Sequence, residues 1–471
     1  MFFAAEPKEV GTSVVVIPNF FSKMGLLRLL QRKPPLLFLV ALLASASAVA
    51  AAAEKDAGAS AAAAAPEEPW LCPRCETVNL GGRSACSACA RPLGREEAAV
   101  ARAGAAARGA TGVSAFFYCW YGTPDVDGRW QHWDHGQLPH WTPDVRARFP
   151  PESVRWLPPE DIHAPFYPQR GPYSSRDARV LREQFEQMRG AGIDTAIVSW
   201  WGRPDGSSAG DSQGVVTDAG LRATLDAARG AGIGVALHLE PYAGRSVESV
   251  REDLAYLAAT YFAHPAIARR PASFASAGAS AGTPVPWVFM YDSYHIAAPE
   301  WARLLRAGGD LSVRGSPLDA HVTGLWLRQL DGEALAEGGF DGAYTYFATD
   351  GFSFGATSTN WREMAAFCRA RGLRFVPSVG PGYDDTKIRP WNAENVRPRR
   401  HGDYYRFMWE RALESGADDV SVVSWNEWGE GTQIEPAVAR RVDVDALAPL
   451  GRALNRTLRA QLLLSSDAYQ E

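Results

Sequence analysis

Eight short apolar runs, rich in β-branched and aromatic residues, punctuate the chain between residues 114 and 428. They are SAFFYCWYG (114–122), TAIVSWWG (195–202), GVALHLEPY (234–242), PWVFMYDSY (286–294), HVTGLWL (321–327), GAYTYFATDG (342–351), RFVPSVGPGY (374–383) and DVSVVSWNEW (419–428). Runs of this length and composition predict strands. Most of the intervening stretches carry helical spacing instead. Val180, Leu181, Phe185 and Met188 fall on one face, and Leu254, Leu257, Tyr261 and Phe262 on another. The segments Gly190-Ala191-Gly192, Gly230-Ala231-Gly232 and Arg371-Gly372 stand where such helices should stop, as C-cap glycines do. Alternating strand and helix predicts an α/β fold, a (β/α)8 TIM barrel. The other arrangement of such units, an open doubly wound sheet, lacks its usual Gly-rich phosphate loop after the first strand.

A barrel of this kind gathers its chemistry at the C-terminal ends of the strands. Those ends carry Trp120 and Tyr121, Trp200 and Trp201, His238, Glu240 and Tyr242, Tyr291, Asp292 and Tyr294, Tyr346 and Asp350, Tyr383 and Asp384, then Glu427 and Glu430. His238, Glu240 and Tyr242 alternate, which on a strand places them on one face. Acids set among aromatics describe a ligand cleft better than a core or a solvated loop. Glu427 and Glu430 are the sharpest pair: Gly429 and Gly431 ease the turn between them, so both can face one cavity. Two carboxyls in an aromatic cleft are the equipment of glycoside hydrolysis. A helix cap or a surface salt bridge is the plainer reading of two nearby glutamates, and the strand-end position among tryptophans argues against it. A metal site at His238 and Glu240 lacks a further histidine at ligand spacing.

Composition narrows the class. The 471 residues are 46% hydrophobic with a net charge of −5, which suits one large domain and gives no basic surface for nucleic acid. Sixteen tryptophans, fifteen tyrosines and twenty phenylalanines suit either a large core or a cleft where flat rings meet sugar faces.

The N-terminal part reads differently. Arg28, Arg32 and Lys33 precede residues 34–53, which carry no charge. That order predicts a signal peptide or a signal anchor, with residues 1–33 as its cytosolic or n-region flank and Met24 as an alternative start. Residues 54–69 and 93–112 read as low-complexity linkers around a cysteine cluster at 70–92. Cys72, Cys75, Cys86 and Cys89 form two C-x2-C knuckles, the spacing of a structural zinc site, although in a lumenal setting they could form two disulfides. With Trp70 and Asn79 placed as they are, the cluster resembles the Ran-binding-protein type of zinc finger. Cys119 and Cys368 read as buried hydrophobes. Asn455-Arg456-Thr457 is a glycosylation sequon.

Longer motifs carry a family resemblance. WYGTPDVDGRWQHWDH (120–135), FYPQRGPYSSRD (166–177), HLEPYAGR (238–245), YDSY (291–294), FDGAYTYFATDGFSFG (340–355), PSVGPGYDDTKIRPWN (377–392) and WNEWGEGTQIE (425–435) resemble glycoside hydrolase family 99, over roughly residues 113–464. The resemblance implies a (β/α)8 catalytic domain and endo-acting cleavage of α-1,2-mannosidic bonds with retention, needing no metal for the chemistry. It implies that Glu427 deprotonates the sugar's own 2-hydroxyl, giving a 1,2-anhydro sugar, and that Glu430 is the general acid/base. Glu240, His238 and Tyr242 would line the mannose subsite. Trp201, Tyr294 and Tyr346 would contact sugar, and Trp120, Tyr121 and Asp384 are further candidates. The expected partner is a mannose-containing glycan or N-glycoprotein, in the Golgi with the N-terminal segment in the membrane. The alternatives are a secreted α-mannan endomannanase, a carbohydrate-binding protein without turnover, and a zinc-finger protein that uses the barrel as a platform. Two departures stand out. Gly429 replaces a His common between the Trp and the second Glu of the motif, and Trp201 stands where vertebrate Golgi enzymes carry Tyr and bacterial mannan-active ones carry Trp.

Overall fold

Each of the eight expected runs contains a strand, and the strands pair in parallel. They are β1 (Gly112–Phe117), β2 (Thr195–Trp200), β3 (Gly234–Leu239), β4 (Pro284–Met290), β5 (His321–Leu325), β6 (Gly342–Tyr344), β7 (Arg374–Val376, resumed at Ser378–Val379) and β8 (Asp419–Val422). The computed structural model describes residues 112–438, apart from 152–154, 205–209 and 272–282, together with Trp70–Leu71 and Val78–Asn79. Neighbours follow chain order from β1 to β6, and β8 pairs with β1. The ring closes through β7, whose first piece pairs with β6 and whose second pairs with β8. Pro377 separates the two pieces because it has no N–H to donate. Its carbonyl still accepts from Ser421 N–H at 3.0 Å, and the following Ser378 N–H donates to Thr345 Oγ1 at 2.9 Å.

Seven helices alternate with the strands: α1 (Ala178–Gly190), α2 (Asp218–Ala231), α3 (Val247–Thr260), α4 (Ala298–Leu305), α5 (Asp331–Gly338), α6 (Trp361–Arg371) and α7 (Asp403–Glu414). The face of α1 holds Val180, Leu181, Phe185 and Met188, all buried as its spacing predicts. Phe185 packs on Phe117 of β1 with ring centroids 5.2 Å apart. Each such buried side chain stabilises the fold by about 1.5–3 kcal/mol, and a Phe185→Ala change would cost about 3–5 kcal/mol. Gly232 and Gly372 end α2 and α6 at φ +71° and +69°, as the C-cap reading requires. In α3 the apolar face is interrupted sooner than expected: Tyr261 is already the C-cap, and Phe262 follows it.

Period-two alternation divides β1 between two environments. Ala115 and Phe117, followed by Cys119 just beyond the strand, join the layer shared with the helices. Phe116 points into the barrel, where it meets His238 at 5.0 Å and both Phe289 and Tyr344 at 6.0 Å. Burial pushes the thiols of both Cys119 and Cys368 up to about 12, so they behave as small apolar groups.

The strands are shorter than the sequence runs at their C-terminal ends. Residues beyond the rim leave the ladder and pair with side chains instead; Tyr118 N–H, for example, donates to Asn426 Oδ1 at 2.8 Å. Trp70–Leu71 and Val78–Asn79 form a separate antiparallel pair, with Trp70 opposite Asn79. The four knuckle cysteines and the apolar segment 34–53 lie outside the described residues. Among the described residues no helix is long and apolar enough to cross a membrane.

Candidate active site

The chain leaves β8 and folds back on itself over residues 424–435. Glu427 N–H donates to Ser424 Oγ at 2.7 Å, and a short 3-10 turn, Trp428–Glu430, carries the second acid. Gly431 then turns at φ +62° against Pro165 and Asp384, where a Cβ would come within 2.9 Å of Pro165 Cγ. Asn426 ties this loop to the end of β1, its amide donating to Tyr118 O at 2.9 Å. Glu435 anchors the far end, accepting from Tyr173, Gln184, Arg170 and Trp428. Glu435 is thus the structural acid of the stretch.

Glu427 is 7% exposed and Glu430 has 18% of its side chain exposed. Burial, and then the charge of Glu430, push the Glu427 carboxyl well above the usual carboxylate range, while Arg389 pulls the other way. Arg389 Nη1 lies 3.0 Å from Glu430 Oε1 and 2.9 Å from Asp385 Oδ2. Asp385 is fully buried and also accepts from Tyr383 and Asn392. One acid therefore sits in a largely buried pocket that disfavours its charged form. The other is tethered by a guanidinium at the mouth.

Across the barrel, His238 Nδ1 contacts Glu240 Oε1 at 2.9 Å and its Nε2 contacts Tyr344 Oη at 2.8 Å. Ser199 Oγ donates to the same Glu240 oxygen at 2.8 Å. Tyr346 lies parallel to His238 at 5.8 Å, and its hydroxyl is 2.6 Å from that of Tyr118. Tyr346 takes φ +60°, an uncommon backbone for tyrosine, held by its N–H donating to Ser378 Oγ at 2.8 Å. Trp120 stacks on His132 with centroids 4.4 Å apart, and His132 is in turn 2.6 Å from Asp211. Trp201 is buried, and its Nε1 makes no hydrogen bond within the described residues.

Several expected site residues are turned elsewhere. Tyr242 does not share a face with His238 and Glu240, because β3 ends at Leu239. Its hydroxyl goes to Asp253 at 2.6 Å and Ser249 at 2.7 Å, both on α3. The Tyr121 hydroxyl donates to Asn426 O at 2.9 Å and accepts from Trp428 N–H, so it braces the acidic loop. Asp384 caps its own turn by accepting from Thr386, and its neighbour Asp385 enters the site network instead. Tyr294 sits under the Arg328 guanidinium, 5.0 Å from the ring centre. Tyr118, Tyr344, Asp385 and Arg389 belong to the site without having been singled out. Asp385 and Arg389 lie inside the quoted GYDDTKIRPWN motif, and Tyr344 ends β6 two residues before Tyr346.

Interacting carboxyls in an aromatic cleft at the strand ends of a barrel are built for glycoside cleavage, and the chain is a glycoside hydrolase. Comparison with known proteins narrows the class. A family model, Glycosyl hydrolase family 99, matches residues 110–449. A human glycoprotein endo-alpha-1,2-mannosidase-like protein is 42% identical over 329 residues, covering 70% of this chain and 69% of its own. The rat glycoprotein endo-alpha-1,2-mannosidase is 41% identical over 329 residues, covering 70% and 68%. The solved GH99 endo-alpha-mannosidase of Bacteroides thetaiotaomicron is 36% identical with a TM-score of 0.61, covering 76% of this chain and 96% of that one. The chain belongs to glycoside hydrolase family 99.

Proposed function

We propose that the protein is a retaining endo-α-1,2-mannosidase that releases glucosylated mannose from N-glycans, with Glu427 as base and Glu430 as general acid/base. The observation that carries the roles is the asymmetry of the two acids. Glu427 is buried and its carboxyl is pushed up by burial and by the Glu430 charge, so it takes up a proton more readily than an ordinary carboxylate. Glu430 is more open and paired with Arg389. In the first half-reaction Glu427 takes the proton of the 2-hydroxyl, O2 bonds to C1, the C1–O bond to the leaving sugar breaks, and Glu430 protonates that oxygen. In the second, Glu430 takes a proton from water as its oxygen attacks C1. The C1–O2 bond then breaks and Glu427 returns its proton to O2. Both steps invert C1, so the outcome is retention. His238 and Glu240, with Tyr346 and Trp201, would hold the mannose, and Trp120 would extend the aromatic wall.

A second reading, an α-mannan endomannanase, rests on Trp201. The names of the mammalian relatives favour the glycoprotein substrate and a place in the secretory pathway. The spacing of Cys72, Cys75, Cys86 and Cys89 supports a structural zinc finger, and the charge-free segment 34–53 supports a Golgi membrane anchor. The test incubates the protein, and its Glu430→Gln variant, with a monoglucosylated high-mannose glycan and separately with an α-1,2-mannan oligosaccharide. Release of a glucose–mannose disaccharide by the wild type alone is expected. Cleavage of mannan only would move the substrate to the second reading, and binding without cleavage of either would overturn the enzymatic one.

A further inference from the structure

The volume beside Gly429 is occupied by an imidazole from a distant part of the chain. A Cβ on residue 429 would fall 2.7 Å from His163 Nε2, 2.8 Å from its Cδ2 and 3.3 Å from Glu427 Oε1. The His163 ring and the Glu427 carboxyl therefore both border the space a residue-429 side chain would enter, and glycine at 429 leaves room for the ring. His163 is 2% exposed, and its Nδ1 makes no hydrogen bond, so the ring is not placed there by a polar contact of that nitrogen. Packing places it. The ring lies against His135 at 6.1 Å, Trp133 at 6.2 Å and Tyr121 at 6.5 Å, and the His163 N–H donates to Trp133 O at 3.1 Å.

The segment that delivers His163 is itself pinned. Lys387 donates to Ile162 O at 3.0 Å, lies 3.6 Å from Asp161 and sits 4.5 Å above the Trp156 ring. The ring consequently cannot swing aside at low cost. Burial, followed by the neighbouring His135 and His132, keeps the His163 pKa well below its ordinary value. An uncharged imidazole beside Gly429 adds no cation to the neighbourhood of Glu427.

We propose that His163 is a positioning residue of the active site: it fills the side-chain space of residue 429 and holds the Glu427 carboxyl in its reactive orientation. This rests on the reading of Glu427 as the base. Glycine at 429 is then the counterpart of a histidine supplied from the loop between β1 and α1.

A reciprocal exchange tests it in the full-length protein. His163→Ala should lower kcat about 10–100-fold, the scale of a misplaced reacting group, with KM nearly unchanged and the melting temperature within a few degrees. Gly429→His alone should lower both kcat and melting temperature, because its side chain meets His163. The double variant should recover both, coming within a few-fold of wild-type kcat. Wild-type kcat in His163→Ala, or a double variant as impaired as the product of the two single ones, would overturn the proposal. If the wild-type protein cuts neither glycan, the glycosidase reading fails and the positioning role fails with it. Recovery of melting temperature in the double variant then reads the shared space independently of turnover.

Discussion

Replacing Arg389 by methionine separates the structural and electrostatic duties of one side chain. The guanidinium bridges Asp385, which is fully buried, and Glu430, and is itself only 17% exposed. Breaking a buried pair by removing one partner costs about 3–5 kcal/mol. Here Tyr383 and Asn392 remain to hydrogen-bond Asp385, which argues for the lower end, about 3 kcal/mol. A barrel of roughly 350 residues unfolds with an entropy near 0.7 kcal/mol/K, so the melting temperature should fall by about 4 °C. The electrostatic effect has a definite sign. Arg389 opposes the burial and the Glu430 charge that raise the Glu427 pKa, so its loss lifts that pKa further. The acid limb of kcat/KM should move to higher pH. Thermal melts and a pH–rate profile read the two effects separately. Adding Asp385→Asn should restore much of the melting temperature, because the unpaired buried charge is gone, while the acid limb stays displaced. An unchanged melting temperature would refute the buried bridge, and an acid limb unmoved or shifted to lower pH would refute Arg389 as the cation facing Glu427.

Glu427→Gln should lower turnover by about 10²–10⁴-fold without destabilising the fold. The folded chain holds the Glu427 proton more tightly than the unfolded chain, so this group's contribution to stability is lost as pH rises from 4.5 through the folded value. Glutamine removes that loss, and the melting temperature at pH 7 should equal or exceed that of the wild type. Tyr344→Phe leaves His238 Nε2 without its partner and should cost about 1–3 kcal/mol, with a raised KM from a loosened His238–Glu240 pair. Tyr242→Phe should leave KM unchanged and lower stability by about 1 kcal/mol, because its hydroxyl serves α3; a KM increase would return it to the sugar subsite.

The order of strands and helices, the closed parallel architecture and the site at the strand ends were all legible in the sequence. Each follows from local periodicity and from capping glycines such as Gly232 and Gly372, which depend on near neighbours in the chain. The two acids at the end of β8 were legible for the same reason. Which side of a loop faces the cleft was not. Asp384 and Asp385 are adjacent and alike, yet one caps its own turn and the other lies buried against Arg389. Tyr242 continues an alternation that has physical meaning only while the strand lasts, and β3 stops three residues earlier. Tyr121 and Tyr118 sit at the same strand end, but one braces the backbone of the acidic loop while the other meets Tyr346. His163 and Gly429 are far apart in the chain and share one small volume. Local pattern fixes which elements form, because it acts through a few neighbouring residues. The division of labour inside the cleft depends on steric and electrostatic contacts between distant segments, and those exist only after the barrel has closed.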